Sequence, residues 1–129
     1  MKLLKSLLLP VLILLGVDAA SAQSSQLLNA SDFEKKLQET KGKIVLDVRT
    51  KSEYDQGHLV NATLIDYYKS DFKQQLSKLD KNKPVFVYCK AGGRSGSAVE
   101  ILTDLGFKKV YDLQGGMNAW TKSDNPVVK

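Results

Sequence analysis

The sequence has 129 residues, with 19 Lys and Arg against 14 Asp and Glu, so its net charge is +5 at neutral pH. A chain of this length builds one modest hydrophobic core, and we expect a single domain. The basic residues are scattered along the chain, which excludes the clustered pattern typical of nucleic-acid binding. One cysteine excludes an internal disulfide bond, and one cysteine with one histidine argues against a zinc site.

Residues 1–22 have the composition of a secretory signal peptide. Two lysines precede an apolar run at residues 7–17, and the small residues Ala-Ser-Ala at 20–22 fit a signal-peptidase site. The apolar run is shorter than the roughly 20 residues that a membrane-spanning helix needs. The sequence therefore predicts a cleaved leader, a mature domain at residues 23–129, export to the periplasm and no stable membrane anchor.

Strands and helices alternate along the rest of the chain. Helices are predicted to begin near Ser31, where Ser31 and Glu34 fit a capping box, and over residues 70–79, 97–105 and 117–120. Strands are predicted over residues 43–48, 62–67, 85–88 and 109–113. Such an alternation predicts an α/β fold with a parallel sheet and with helices on both faces.

The only cysteine, Cys89, directly follows the apolar strand predicted at 85–88. Two glycines, three and four positions later, free the backbone to direct several N–H groups toward one point. The helix that follows adds unpaired N–H groups and a dipole that favours a nearby anion by about 0.3–1 kcal/mol. Lys90 and Arg94 add positive charge. Because each of these features favours the thiolate over the thiol, we interpret Cys89 as a nucleophile.

Four short motifs resemble those of the rhodanese-like sulfurtransferase family. They are C-K-A-G-G-R-S at 89–95, D-V-R at 47–49, E-Y-D-Q-G-H-L at 53–59 and L-Q-G-G-M-N-A-W at 113–120. The resemblance covers residues 26–122 and keeps the family's order. It implies one rhodanese-like domain with a central parallel sheet of about five strands, helices on both faces, and an active-site loop that begins at Cys89.

The resemblance also implies a function, namely that of a thiosulfate sulfurtransferase without a cofactor or a metal. Cys89 would take sulfane sulfur from thiosulfate or a similar small anion, form a persulfide, and pass the sulfur to a thiophilic acceptor such as cyanide or a thiol. The substrate-binding residues would be those of the loop that follows: Lys90, Ala91, Gly92, Gly93, Arg94 and Ser95. The basic residue at position 90 resembles the residue that follows the cysteine in family members that use thiosulfate, rather than in those that use mercaptopyruvate.

Four polar residues outside the loop are assigned a supporting role: Asp47, Arg49, Glu53 and His58. From the residues alone, Asp47 and Arg49 fit a local ion pair at the end of a strand. The resemblance implies instead that they belong to a set of hydrogen bonds around the active loop. His58 has the chemistry of a general base for Cys89, but the resemblance implies that residues 57–59 form a structural turn.

Two other classes of function stay open at this point. A binding module that carries a persulfide without turnover would keep the same cysteine and loop. A Cdc25-like phosphatase or an arsenate reductase would share the fold but needs a loop that is one residue longer. Here Arg94 lies five positions after Cys89, which favours sulfur over an oxyanion as large as phosphate. Activity on an aryl phosphate would favour the phosphatase, and slow turnover of a stable persulfide would favour the carrier.

Overall fold

The computed structural model describes residues 23–129, so the leader predicted at 1–22 lies outside the described residues. The strands are β1 (Ser24–Leu28), β2 (Ile44–Asp47), β3 (Thr63–Leu64), β4 (Val85–Tyr88) and β5 (Lys109–Leu113). The helices are α1 (Ala30–Glu39), α2 (Lys51–Gln56), α3 (Phe72–Ser77), α4 (Gly93–Asp104) and α5 (Gly116–Lys122). None of the helices in this part of the chain is long and apolar enough to cross a membrane.

The five strands form one parallel sheet in the order β1-β5-β4-β2-β3. β4 lies at its centre, and all four of its residues are buried. An unbroken apolar strand of this kind is typical of a parallel sheet that is covered on both faces. The predicted α/β fold with a five-stranded parallel sheet is confirmed.

Helices cover both faces of the sheet. On one face, α3 and α4 bury their apolar sides against the strands through residues such as Leu76 and Leu102. On the other face, Phe33 of α1 and Trp120 of α5 pack around Phe86 of β4, with the rings of Phe33 and Phe86 meeting edge to face. The prediction of helices on both faces is therefore confirmed, and β4 lies between two hydrophobic clusters.

The edge strand β1 is missing from the sequence-based prediction, which places no strand before the first helix. β1 pairs with β5 along its whole length, from Ser24 beside Lys109 to Leu28 beside Leu113. Most of β1 is exposed, so it lacks the apolar run that marks a buried strand in a sequence. Its extended conformation depends on pairing with β5, which no local pattern reveals.

The start of α1 also differs from the prediction. The helix begins at Ala30, and the side-chain oxygen of Asn29 accepts a hydrogen bond from the Asp32 N–H at 2.8 Å. The predicted capping box at Ser31 is therefore wrong. Asn caps a helix as well as Ser does, and the structure uses Asn29, two residues before Ser31.

Other elements also differ from the prediction. α2 is absent from the prediction, although Thr50 and Glu53 form a capping box that the sequence pattern T-x-x-E signals. β3 is shorter than the predicted strand at 62–67 because it pairs with β2 at only two positions. α4 begins at Gly93 rather than at residue 97, which places Arg94 and Ser95 in its first turn.

Candidate active site

The candidate site lies at the carboxyl end of the sheet, where ligand sites of open α/β sheets are found. Cys89 follows the last residue of β4 and is 1% exposed. The chain then turns through Gly92, whose φ of +117° is a conformation that glycine adopts without steric cost. This turn leads directly into α4, so the loop wraps around the Cys89 sulfur and ends at the positive end of a helix dipole.

The Cys89 sulfur is surrounded by hydrogen-bond donors. The Gly92 N–H donates to Sγ at 3.0 Å, and the Ser95 hydroxyl oxygen lies 3.5 Å from Sγ. Burial raises the pKa of the thiol, but the Ser95 hydroxyl and the N–H groups of Ser95, Gly92 and Ala91 lower it by more, so the pKa lies below its ordinary value. This arrangement stabilises a thiolate, the form that acts as a nucleophile.

The start of α5 holds the other side of the loop. The Met117 N–H donates to the Cys89 carbonyl at 2.8 Å, and the Asn118 N–H donates to the Lys90 carbonyl at 3.0 Å. Gly116 permits this approach, because a Cβ there would lie 2.6 Å from the Lys90 carbonyl oxygen. The G-G motif thus lets two backbone segments touch, and it fixes the direction of the Cys89 backbone.

An open cavity of about 500 Å³ lies at the mouth of the loop. Among the residues that line it are the charged side chains Arg49, Glu53, Lys90 and Arg94. Arg94 donates to both carboxylate oxygens of Glu53, at 2.8 and 3.0 Å, and its guanidinium lies over the Tyr68 ring. No ion pair among residues 23–129 includes Lys90, so Lys90 carries the unmatched positive charge of this lining.

Hydrogen bonds shift the pKa values of Arg94 and Glu53, which lie at the mouth of the cavity. The hydrogen bond from Arg94 is the main cause that lowers the pKa of Glu53 to about 2, and the same bond raises the pKa of Arg94. The sequence-based prediction assigned Arg94 to the substrate and Glu53 to a supporting role. The structure joins the two side chains to each other, which leaves Arg94 with much less charge to offer an anion.

Asp47 and Arg49 form a second, more deeply buried pair. Arg49 Nη2 lies 2.7 Å from Asp47 Oδ2, and it also donates to the Gly57 carbonyl at 2.7 Å. The Tyr88 hydroxyl donates to the same carboxylate at 2.7 Å and accepts the Leu59 N–H at 3.1 Å. The pair is buried and more extensive than a surface ion pair, and it ties β2, β4 and the 57–59 turn together.

His58 makes its contacts in that turn. Its ring stacks on Tyr54 with centroids 3.6 Å apart, and its Nδ1 lies 2.9 Å from the Tyr54 carbonyl. Its backbone pairs with Val128. His58 is not among the residues that line the cavity, and these contacts are those of a residue that holds a turn.

The sequence reasoning missed one buried polar residue near the site. Asp112 of β5 is 8% exposed, and burial raises the pKa of its carboxyl group. The signal was available, since a carboxylate interrupts the apolar strand at 109–113. Among the described residues, no group of three or more His, Cys, Asp or Glu side chains is placed to hold a metal ion.

An α/β domain with one activated cysteine in a loop between a central strand and a helix defines a class of thiol-dependent proteins. Comparison with known families places this chain within that class: residues 29–123 match the rhodanese-like domain, and the chain belongs to this family. Membership of this family supports a sulfurtransferase activity for the chain.

Two relatives and one solved structure illustrate the range of similar proteins. The chain is 39% identical over 83 residues to the thiosulfate sulfurtransferase GlpE of Coxiella burnetii, covering 64% of this chain and 75% of that protein. It is 35% identical to the tRNA uridine(34) hydroxylase of Chlamydia abortus, covering 84% of this chain but 35% of the hydroxylase. A rhodanese-related protein from Thermoplasma volcanium superimposes with a TM-score of 0.70 at 33% identity, covering 80% of this chain and 97% of that one.

Proposed function

We propose that the protein is a thiosulfate sulfurtransferase that works through a persulfide on Cys89. The observation that carries this proposal is the set of donors around Sγ, with the Gly92 N–H at 3.0 Å and the Ser95 hydroxyl within reach. The same N–H groups that lower the pKa of the thiol suit the negative outer sulfur of a persulfide.

The first step is attack of the Cys89 thiolate on the outer sulfur of thiosulfate. A bond forms between Sγ and the outer sulfur, and the bond between the two thiosulfate sulfurs breaks with its electron pair leaving on sulfite. In the second step an acceptor thiophile, such as cyanide or a thiolate, attacks the outer sulfur of the persulfide. The Cys89 thiolate is then released, and no external oxidant or reductant is consumed.

Donor binding is assigned mainly to Lys90 and to the backbone of the loop. Lys90 is exposed at the mouth and has no carboxylate partner among the described residues. Ala91, Gly92 and Gly93 contribute backbone N–H groups rather than side chains. The charge of Arg94 is largely matched by Glu53, so Arg94 shapes the mouth of the cavity more than it attracts the donor.

A phosphatase or an arsenate reductase receives less support than a sulfurtransferase. Phosphate binding would need the arginine of the loop to direct both nitrogens of its guanidinium at the anion. Here Nη1 and Nη2 of Arg94 are both bonded to Glu53. The loop is also one residue shorter than the loop that such a phosphatase or reductase needs, with Arg94 five positions after Cys89.

We also propose that the protein is exported and cleaved after residue 22. The support is the composition of residues 1–22. In an oxidising compartment a lone cysteine stays free unless it meets another thiol, which suits a residue that cycles between thiolate and persulfide. Expression of the full chain in a bacterium, followed by the mass of the protein in the periplasmic fraction, tests the cleavage site.

The mass of the intact protein tests the sulfur chemistry. Incubation with thiosulfate without reductant should add about one sulfur atom, and later addition of cyanide should remove it and form thiocyanate. Since the chain has one cysteine, Cys89→Ser should show neither the gain nor turnover. Turnover by Cys89→Ser would overturn the mechanism. A stable gain of one sulfur atom with slow turnover would indicate a carrier, and release of phosphate from an aryl phosphate would indicate a phosphatase.

A further inference from the structure

Residues 124–129, which we call the strap, follow α5 and lie beyond the segment that matches the rhodanese-like domain. Specific hydrogen bonds fix the course of the strap. The indole N–H of Trp120 donates to the Pro126 carbonyl at 2.9 Å. His58 and Val128 exchange two backbone hydrogen bonds, each of 2.9 Å. The strap is therefore an ordered part of this domain, although the family match does not account for it.

The strap brings the Val127 side chain into the lining of the cavity at the active site. Val127 lies against Gly57, where a Cβ would be 3.7 Å from Val127 Cγ2. The carbonyl of Gly57 accepts a hydrogen bond from the buried Arg49 at 2.7 Å, so the backbone behind Val127 is itself held in place. Val127 is 42% exposed, which leaves apolar surface for a bound molecule to cover.

Val127 belongs to an apolar part of the cavity lining. Tyr68 and Val127 are large apolar side chains that are exposed, and both line this cavity together with Met117. Met is a flexible and polarisable side chain that adapts to different apolar groups. Apolar side chains that converge on a cavity with a few charged groups are typical of sites for organic molecules.

The donor of the proposed reaction does not use this apolar part. Thiosulfate is a small dianion, and Lys90 and the N–H groups of the loop supply the charge and the hydrogen bonds that it needs. The cavity has a volume of about 500 Å³, which lies within the range of about 300–1,000 Å³ found for sites that enclose larger organic ligands. The unused space and the apolar lining are thus available to the second substrate.

We propose that Val127 is a specificity-determining residue that selects, as the sulfur acceptor, a thiol with an apolar substituent. The inference rests on the proposed sulfurtransferase function. The substituent packs against Val127 and Met117 while the acceptor thiolate attacks the outer sulfur of the Cys89 persulfide. A bond forms between these two sulfurs, and the bond from the outer sulfur to Sγ breaks with its electron pair on Sγ. The product is the persulfide of the acceptor, and no oxidant or reductant is consumed.

A pair of thiols of matched length tests the inference. Butanethiol ends in a methyl group, and mercaptopropanol has a hydroxyl group at the same position. The rate constant for loss of the Cys89 persulfide, followed by the mass of the intact protein, is measured with each thiol. In the wild type butanethiol should react about fourfold faster, the effect of burying one apolar carbon. In Val127→Ser the two rates should become nearly equal.

Val128→Ser is the matched control. Val128 is in the same strap and is 39% exposed, but its side chain does not line the cavity. This variant should keep the ratio of rates found in the wild type. Equal rates for the two thiols in the wild type would overturn the inference, as would an unchanged ratio in Val127→Ser or the same loss in Val128→Ser. If Val127→Ser does not fold, Val127→Thr, which has nearly the shape of valine, must lower the ratio.

A second measurement separates this inference from the proposed function. Alkylation of Cys89 by iodoacetamides that carry either a propyl or a hydroxyethyl group on nitrogen needs no persulfide. The propyl reagent should react faster in the wild type, and Val127→Ser should remove this preference. A failure of the sulfur transfer would appear separately, as the absence of a mass gain with thiosulfate. Equal alkylation rates in the wild type would overturn the role of Val127 whether or not a persulfide forms.

Discussion

The two strands that flank β4 each carry a buried aspartate at the carboxyl end of the sheet, and the two differ in almost every other respect. Asp47 of β2 is 0% exposed and receives hydrogen bonds from Arg49 and from the Tyr88 hydroxyl. Asp112 of β5 is 8% exposed, and its Oδ1 has no partner among the described residues. The first lies toward α1 and α5, and the second lies beneath α4.

The difference shows how the same side chain serves two purposes. Removing a carboxylate from water is costly unless charges and donors replace the water. Around Asp47 they do, and the result is a fixed network that braces the strand end and the turn at 57–59. Around Asp112 they do not, so burial raises the pKa of its carboxyl group. The chain thus places a rigid support on one side of the Cys89 loop and a titratable group on the other.

The largest effect should come from Asp47→Asn. The substitution leaves the Arg49 guanidinium, which is 4% exposed, buried without its counter-charge, and we expect a loss of about 3–5 kcal/mol in the free energy of unfolding. Urea unfolding measures the loss. A double variant that also replaces Arg49 by Met should recover part of it, and a loss below about 1 kcal/mol would show that the network is not a brace.

A smaller effect is expected from Glu53→Gln at the mouth of the cavity. The pair with Arg94 is partly exposed, so the loss of stability should be about 1 kcal/mol or less. Release of the Arg94 charge should also lower the KM for thiosulfate. Asp55→Asn, which breaks the exposed Lys51–Asp55 pair, is the matched control and should leave the KM unchanged; an unchanged KM in Glu53→Gln would show that Arg94 does not reach the donor even when free.

The pH dependence of the Glu53 effect has a definite sign. The pKa of Glu53 is lowered in the folded protein from 4.5 to about 2. The stability from this pair is therefore fully present above the unfolded value and is lost as the pH falls from 4.5 toward 2. The difference between the wild type and Glu53→Gln should shrink over that interval in urea unfolding.

The sequence predicted the features that depend on local pattern. The central strand at 85–88 and the strand at 109–113 agree with β4 and β5, because the first is an apolar run and the second has apolar residues at three of its five positions. The loop after Cys89 was found because two glycines and two basic residues follow this cysteine within five positions and a predicted helix comes next. Features that local physics specifies were accessible without coordinates.

The features that depend on distant partners were not accessible. β1 is exposed and becomes a strand only by pairing with β5. The bond between Glu53 and Arg94 joins residues 41 positions apart, and no spacing rule connects them. The burial of Asp112 likewise depends on how α4 packs on the sheet, so an acid in a strand could be noticed in the sequence but its burial could not be predicted.

The smallest effect on stability, and one of opposite sign, should come from Asp112→Asn. Burial raises the pKa of Asp112 above its ordinary value, so the folded state holds a proton that the unfolded state releases more readily. Wild-type stability from this group is present at low pH and is lost as the pH rises through the folded pKa. Asp112→Asn has no carboxyl group to ionise, so its stability does not fall in this way as the pH rises. Its unfolding free energy should therefore match the wild type in acid to within about 1 kcal/mol and exceed it at alkaline pH.

Urea unfolding of both proteins at acidic and alkaline pH measures this difference. A loss as large as that of Asp47→Asn would mean that Asp112 is ionised and firmly bonded in the fold, and the contrast between the two aspartates would disappear. An unfolding free energy of Asp112→Asn that exceeds that of the wild type by more as the pH rises would show that Asp112 is not firmly bonded in the fold. The buried carboxyl group then lowers the stability of the fold once it ionises.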